Sequence, residues 1–271
     1  MLSGLPMFLQ EGQYPFLVAV GGAGALAAVV ALLFGAAVIR LSGIAASIAT
    51  FAFLAIINSV YSNWDSVTAA TSSVIGIPTV GSPWVYLAFA VASILGAFLF
   101  QNSRFGLMLR ASRDDEAAAK ASAVNIVRVR LIAFVISAFI VGVGGGLYAH
   151  FLGVLTVDVF YMALTFVTLS MLIVGGIGSL SGAVVGVIAV TLIVQVLRGM
   201  EGGVVIEAVN YHLPKGSQEI GLGLIMAIIL VYRTGGLTKS REIAWPFRRT
   251  SAPPSATPVT GGVAKALANG D

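Results

Sequence analysis

Apolar residues run along this chain in blocks long enough to cross a bilayer, separated by short polar segments. Roughly 20 mainly apolar residues are needed to cross a hydrocarbon core of about 30 Å. By that measure the pattern predicts spans at Pro15–Ile39, Leu41–Tyr61, Trp84–Gln101, Leu131–Leu152, Phe160–Ile177, Gly182–Leu197 and Ile220–Tyr232. Only Arg40 separates the first two, which predicts a tight hairpin or a partly re-entrant segment. The last three are short, and Gly175-Gly176-Ile177-Gly178 is placed to interrupt a helix. The expected fold class is an all-α integral membrane protein, a polytopic helical bundle of about seven spans.

The polar segments are equally uneven. Arg104–Arg130 holds six of the chain's 15 Lys and Arg and three of its 11 Asp and Glu, while the flanking sequence is almost free of charge. Tyr61–Pro83 is rich in Ser, Thr, Asn and Gly, with Asp65 its only charge and Trp64 and Trp84 near its ends, where interfacial aromatics are expected. It reads as an ordered external loop or a short interfacial helix. Arg198–Glu219 is a second external segment, in which Val204–Val209 is read as a short surface helix. From Thr250 the sequence turns to Ser, Ala, Pro, Thr and Gly without periodicity, which predicts disorder. The expected organisation is a transmembrane domain over residues 1–249, with the loop 104–130 inside it, and a disordered tail over 250–271.

Composition sharpens this picture. Of 271 residues 58% are hydrophobic and 10% charged, and the mean hydropathy is +0.99; a soluble domain carries about 25% charged residues. The 32 glycines are spread through apolar runs, where Gly lets neighbouring backbones approach. Cys is absent, which removes disulfides, thiolate metal sites and cysteine nucleophiles. A net charge of +4 would suit nucleic acid, but the basic residues sit at the ends of apolar runs, so membrane lipid is the expected surroundings and no nucleic acid is expected. Placing 104–130 in the cytoplasm puts Arg40 and the basic residues after Tyr232 on the same side, including a cytoplasmic C-terminus. Thirteen of 15 basic residues then lie inside, leaving Arg198 and Lys215 outside.

Candidate chemistry is sparse. No Gly-x-x-x-x-Gly-Lys-Ser/Thr phosphate loop occurs, so no ATPase site is expected in this chain. His150 and His212 are far apart and lack partners at ligand spacing, so neither a metal nor another cofactor is expected. Asp114-Asp115-Glu116 sits among arginines in a polar loop, a poor setting for acid–base catalysis, and an enzyme is not expected. No ionisable residue falls clearly inside a span, against the needs of a proton-coupled carrier. Energy for transport would then reach the chain from outside, through the charged loop.

That loop predicts a helix. Ser112 is a candidate N-cap, the acids sit at the positive end of the macrodipole, Ala117–Ala119 favour helix, and Glu116–Lys120 is an i,i+4 pair in the better orientation. Its small-residue face suits either docking in a partner's groove or simple solvation. Thr50, Asn58, Ser137, Thr165, Thr168 and Ser170 are uncharged polar residues in or beside spans. They suit a pathway for an uncharged or zwitterionic solute, or only bond their own helix backbones. Gly142-x-x-x-Gly146, Gly178-x-x-x-Gly182 and Gly182-x-x-x-Gly186 read as close helix packing. Gly175 and Gly176 have a second reading, a broken helix whose backbone polar groups line a route.

Three stretches in order carry a resemblance. They are Ser112–His150, with Asp115-Glu116-Ala117-Ala118-Ala119, Asn125-Ile126-Val127-Arg128 and Gly142–Gly146; Arg40-Leu41-Ser42-Gly43 through Phe53 to Asn63-Trp64-Asp65; and Leu172–Gly182. Across roughly Pro15–Leu237 they resemble the branched-chain amino acid ABC transporter permease family, LivM type. The resemblance implies an importer's permease subunit in a bacterial cytoplasmic (inner) membrane. Its partners would be a second permease subunit, cytoplasmic ABC ATPase subunits and an external solute-binding protein. It also implies that the ATPase-coupling loop includes Arg113, Asp115, Glu116, Ala118, Ala119 and Ala123, the last standing where the family has Gly. Two departures lie on the substrate side: Thr68-Ala69-Ala70 stands for Thr-Gly-Gly, and Ala55 for an acidic residue. The family carries further spans before the region resembling Pro15, so a shortened, non-transporting copy is an open alternative. A stand-alone facilitator or sodium-coupled carrier is another.

Overall fold

In the computed structural model, the structure describes residues 14–41, 43–68, 72–79, 81–201, 204–206, 209–211, 216–232 and 236–238. The tail after Thr250, its basic residues, His212, Lys215, Ser42, Ala69 and Ala70 lie outside them.

Among the described residues, six helical segments are long and apolar enough to cross a membrane. They are α1 (Phe16–Val38), α2 (Ile44–Ser62), α4 (Pro83–Asn102), α7 (Ile126–Leu152), a 3-10 turn (Val157–Phe160) running into α8 (Met162–Gly175), and α9 (Leu180–Glu201). Between them lie α3 (Asp65–Thr68), α5 (Arg104–Asp114) and α6 (Glu116–Ala121). The seventh expected span forms α10 (Ser217–Tyr232), whose 16 residues give about 24 Å of rise, short of the ~30 Å core. Five of the expected spans start earlier than the hydropathy blocks do, because helical hydrogen bonding begins ahead of the first residue of each block. In α7 this adds the turn holding Arg128 and Arg130.

Packing divides the spans unequally. The most extensive pair is α1 against α7, built on small residues. A Cβ on Gly142 would meet Ala27 Cβ at 2.6 Å and Ala23 O at 2.9 Å, and one on Gly24 would meet Val143 at 2.7 Å. Lipid tails are as apolar as Leu, so helices here associate through van der Waals fit, which small residues permit. The Gly142–Gly146 motif is therefore a packing seam. A second group joins α8, α9 and α10. A Cβ on Gly186 would run into the Met171 carbonyl, and α10 returns antiparallel to α9, with Gly221 beside Leu197 and residues 236–238 beside Gly175. In α2 and α4 no residue is buried; α2 touches α1 through stacked Phe34 and Phe53, and α4 touches α1 and α7 through Phe16–Phe89 and Tyr86–Phe151.

At one end of the bundle the connections are stapled to each other. β1 (Val74–Ile75) pairs antiparallel with β2 (Val154–Leu155), Ser73 and Thr156 hydroxyls are 3.0 Å apart, and His150 Nδ1 lies 2.8 Å from Pro78 O. The described parts of Tyr61–Pro83 thus hold a single helical turn, α3, and the strand β1. Val204–Val209 differs from expectation. It forms a hairpin, β3 (Val204–Ile206) paired with β4 (Val209–Tyr211), because β-branched Val and Ile favour extended backbone over a short isolated helix.

Candidate functional site

The charged connection between α4 and α7 is two helices, with the break at Asp115. Ser103 starts α5, its Oγ accepting from Gly106 N at 3.3 Å. The expected N-cap, Ser112, lies inside α5, buried, its hydroxyl donating to Leu109 O at 2.8 Å. The cap of α6 is Asp115 instead. Its backbone is extended (φ −148°, ψ 111°) and Oδ1 accepts from Ala117 N at 2.8 Å and Ala118 N at 2.9 Å. Asp satisfies two orphan amides and carries charge at the positive helix end, where an N-cap is worth about 1 kcal/mol. A Ser one turn earlier offers no such charge.

The end of α6 is a Schellman turn. Val124 N donates to Ala119 O at 3.1 Å and Ala123 N to Lys120 O at 3.0 Å. Ala123 sits at φ +60°, the one non-glycine residue with positive φ among those described. The position where the resemblance leads one to expect Gly is therefore a left-handed Ala.

Glu116 ties α6 to its surroundings. Lys120 Nζ approaches Oε1 at 2.9 Å and Arg130 Nη2 approaches Oε2 at 3.3 Å. Lys120, first by hydrogen bond and then by charge, and next Arg130 hold the Glu116 carboxyl below its ordinary value of 4.5. Arg113 pairs loosely with Asp114 at 3.8 Å. The alanines divide by face: Ala119 is 5% exposed and packs inward, while Ala117, Ala118 and Ala121 lie on the open side. Of the expected coupling residues, Arg113, Asp115, Glu116, Ala118 and Ala123 are thus exposed around α6, and Ala119 is committed to the chain's own packing. Arg130 escaped sequence reasoning, since a partner 14 residues away has no helical spacing to flag it.

The expected pathway residues are not gathered in one place. Thr50 donates to Ser47 O, Ser137 to Phe134 O, Thr165 to Tyr161 O and Thr168 to Leu164 O and Thr165 O, each within its own helix. Ser170 is buried, bonded to Phe166 O at 2.7 Å and 3.6 Å from Met226 Sδ. Ser137 also lines a mostly apolar cavity of about 430 Å3 with Phe100, Leu109 and Phe134. Asn58 on α2 is half-buried and makes no hydrogen bond among the described residues.

Gly175 is the last residue of α8 and Gly176 its C-cap, and α9 follows as a separate span. Gly176 has φ +116°, and the chain restarts at Ser179, whose Oγ accepts from Gly182 N at 3.0 Å. The carbonyls freed at the break are met from across the fold. Leu237 N donates to Val174 O at 2.8 Å, and the Thr238 hydroxyl donates to Gly175 O at 2.9 Å. Neither Ser179 nor Thr238 was legible as a partner, because 59 residues separate them.

Membrane-length apolar helices joined by an ordered, charged two-helix connection define a multi-pass helical membrane protein. Residues 1–233 match the family described as branched-chain amino acid transport system / permease component, and the chain belongs to that family. It is 28% identical over 169 residues to the probable branched-chain amino acid transport permease protein LivM of Methanocaldococcus jannaschii. That match covers 60% of this chain and 48% of the relative, so the chain spans about half the length of the curated relative it matches. No solved structure matches the chain.

Proposed function

We propose that this chain is the permease subunit of an ABC importer for branched-chain or related amino acids, not itself an enzyme, and that α6 is where ATPase subunits act on it. The observation carrying this reading is the construction of α6. It is capped by Asp115, anchored to α7 through Glu116–Arg130, and leaves a small-residue face at Ala117, Ala118 and Ala121 open. A rigid helix with a flat small face suits a groove in another protein, and its ion pair to α7 gives a push on α6 a path into the bundle. The solute would pass between this chain and a second permease, delivered by an external binding protein. The unburied α2 and α4 supply faces for that second subunit and for lipid.

Orientation follows from the same reading. Ile39–Leu41 share a cavity with residues 116–130, opposite the end stapled by β1 and β2, and the charge bias assigns the former end to the cytoplasm. Residues 236–238, returned by α10 to the α8–α9 break, would lie on that side too, with the C-terminus.

Ala118→Trp tests the docking face, since Ala118 is exposed among the described residues. Co-purification of an ATPase and ATP-driven amino-acid uptake should both fall at least about tenfold, the effect of losing ~1.4 kcal/mol of interface, with unchanged membrane insertion. Uptake and ATPase recovery at wild-type levels would sink the docking role.

A further inference from the structure

The first cation of the chain meets the two-helix connection in a cavity. The space, about 450 Å3, lies between Ile39–Leu41 after α1 and residues 116–130, and among the described residues its charged wall is Arg40, Lys120 and Arg130 against the carboxylate of Glu116. That carboxylate is already shared between Lys120 at 2.9 Å and Arg130 at 3.3 Å. Arg40 has no ion-pair or hydrogen-bond partner among the described residues. Three cations against one occupied acid leave the cavity electropositive.

Its lip is of the opposite character. Leu41 is 45% exposed and Val127 44%, and beyond Leu41 the first residue of α2, Ile44, is 79% exposed. An electropositive recess opening onto bare apolar side chains, at the ends of membrane-length helices, matches an amphiphile with an anionic head. A free anion would leave the apolar lip unused. An acidic side chain from a protein partner would satisfy Arg40 but make no use of Leu41 and Ile44.

We propose that this cavity binds the phosphate of an anionic phospholipid headgroup, with Arg40, unpaired among the described residues, as its principal ligand, Lys120 and Arg130 beside it, and an acyl chain running along Leu41 and Ile44. A lipid seated there would clamp the end of α1 to α6 and the start of α7, three elements joined among the described residues by few other polar contacts. The assignment is independent of whether the outer face of α6 docks an ATPase.

Native mass spectrometry of the full chain, purified in detergent with whatever subunits accompany it, reads the site directly. Phosphatidylglycerol should be retained in preference to phosphatidylcholine. Arg40→Gln should lower that retention roughly fivefold, the scale of one basic residue at a lipid surface, while the thermal unfolding temperature without added lipid stays as in the wild type. Equal retention of the two lipids overturns the proposal, as does retention unchanged in an Arg40→Gln, Lys120→Gln double variant. Complete displacement of phosphatidylglycerol by millimolar inorganic phosphate would make it a free-anion site instead. Loss of a co-purifying ATPase in Arg40→Gln with lipid retention intact would assign the cavity to an acidic side chain of that partner.

Discussion

Ala123 carries a conformational cost. The Schellman turn ending α6 requires a left-handed backbone there, and Ala adopts it at φ +60°, a conformation costing L-residues about 1–2 kcal/mol. Gly loses some of that advantage through unfolded-chain entropy, about 0.5–1 kcal/mol. Ala123→Gly should therefore stabilise the connection by a net ~0.5–1 kcal/mol, seen as slower amide exchange in α6, with no change in the spans. Glu116 gives a second residue-scale prediction. Its folded pKa is depressed by Lys120 and Arg130. A depressed carboxylate contributes stability that is present above its unfolded value and lost as pH falls through the folded one. Amide exchange of α6 should thus be flat from neutral pH down to about 5 after correction for intrinsic rates, then accelerate below 4.5; in Glu116→Gln that acid-dependent step should be smaller, leaving the part that belongs to the Asp115 cap.

At the scale of elements, local chemistry and packing had separate reach. The helix-forming stretch after Asp115 and the Glu116–Lys120 pair were readable because both depend on residues within one turn. The break at Asp115 was not, since Ser112 and Asp115 are both good caps and burial of Ser112 against its neighbours selects between them. Hairpin β3–β4 likewise resolved an ambiguity that a short Val-rich run leaves open. The α1–α7 seam makes a testable element. Gly142 already stands so close to α1 that a Cβ meets Ala27 at 2.6 Å, so Gly142→Leu should force the pair apart at about 1–3 kcal/mol. Thermal unfolding in detergent should fall accordingly, whereas the same change at Gly144, which faces open space, should leave the midpoint within a degree or two, a shift of well under 1 kcal/mol.

For the whole molecule, the decisive relation is which connections share a face. Arg40 and residues 116–130 line one cavity, while β1, β2, Pro78 and His150 meet at the other end. Because the chain has no Cys, single-cysteine labelling is free of background. In vesicles of known sidedness, Ser73→Cys and Ala118→Cys should react with an impermeant maleimide from opposite sides. Labelling of both from one side would discard the arrangement of spans.

The amino-acid sequence by itself determined where the spans lie, the helical character of the charged connection and the family to which the chain belongs. Partition of apolar blocks into lipid, capping and i,i+4 pairing are local quantities, and each is complete within a turn or a span. Only the tertiary structure decided which spans pair, that Glu116 reaches Arg130, that residues 236–238 satisfy the carbonyls at the Gly176 break, and that Arg40 faces the α6–α7 corner. In a bilayer every apolar face is equally at home against lipid, so hydropathy cannot choose partners. The choice falls to steric fit between small residues and to polar groups brought together from distant parts of the chain.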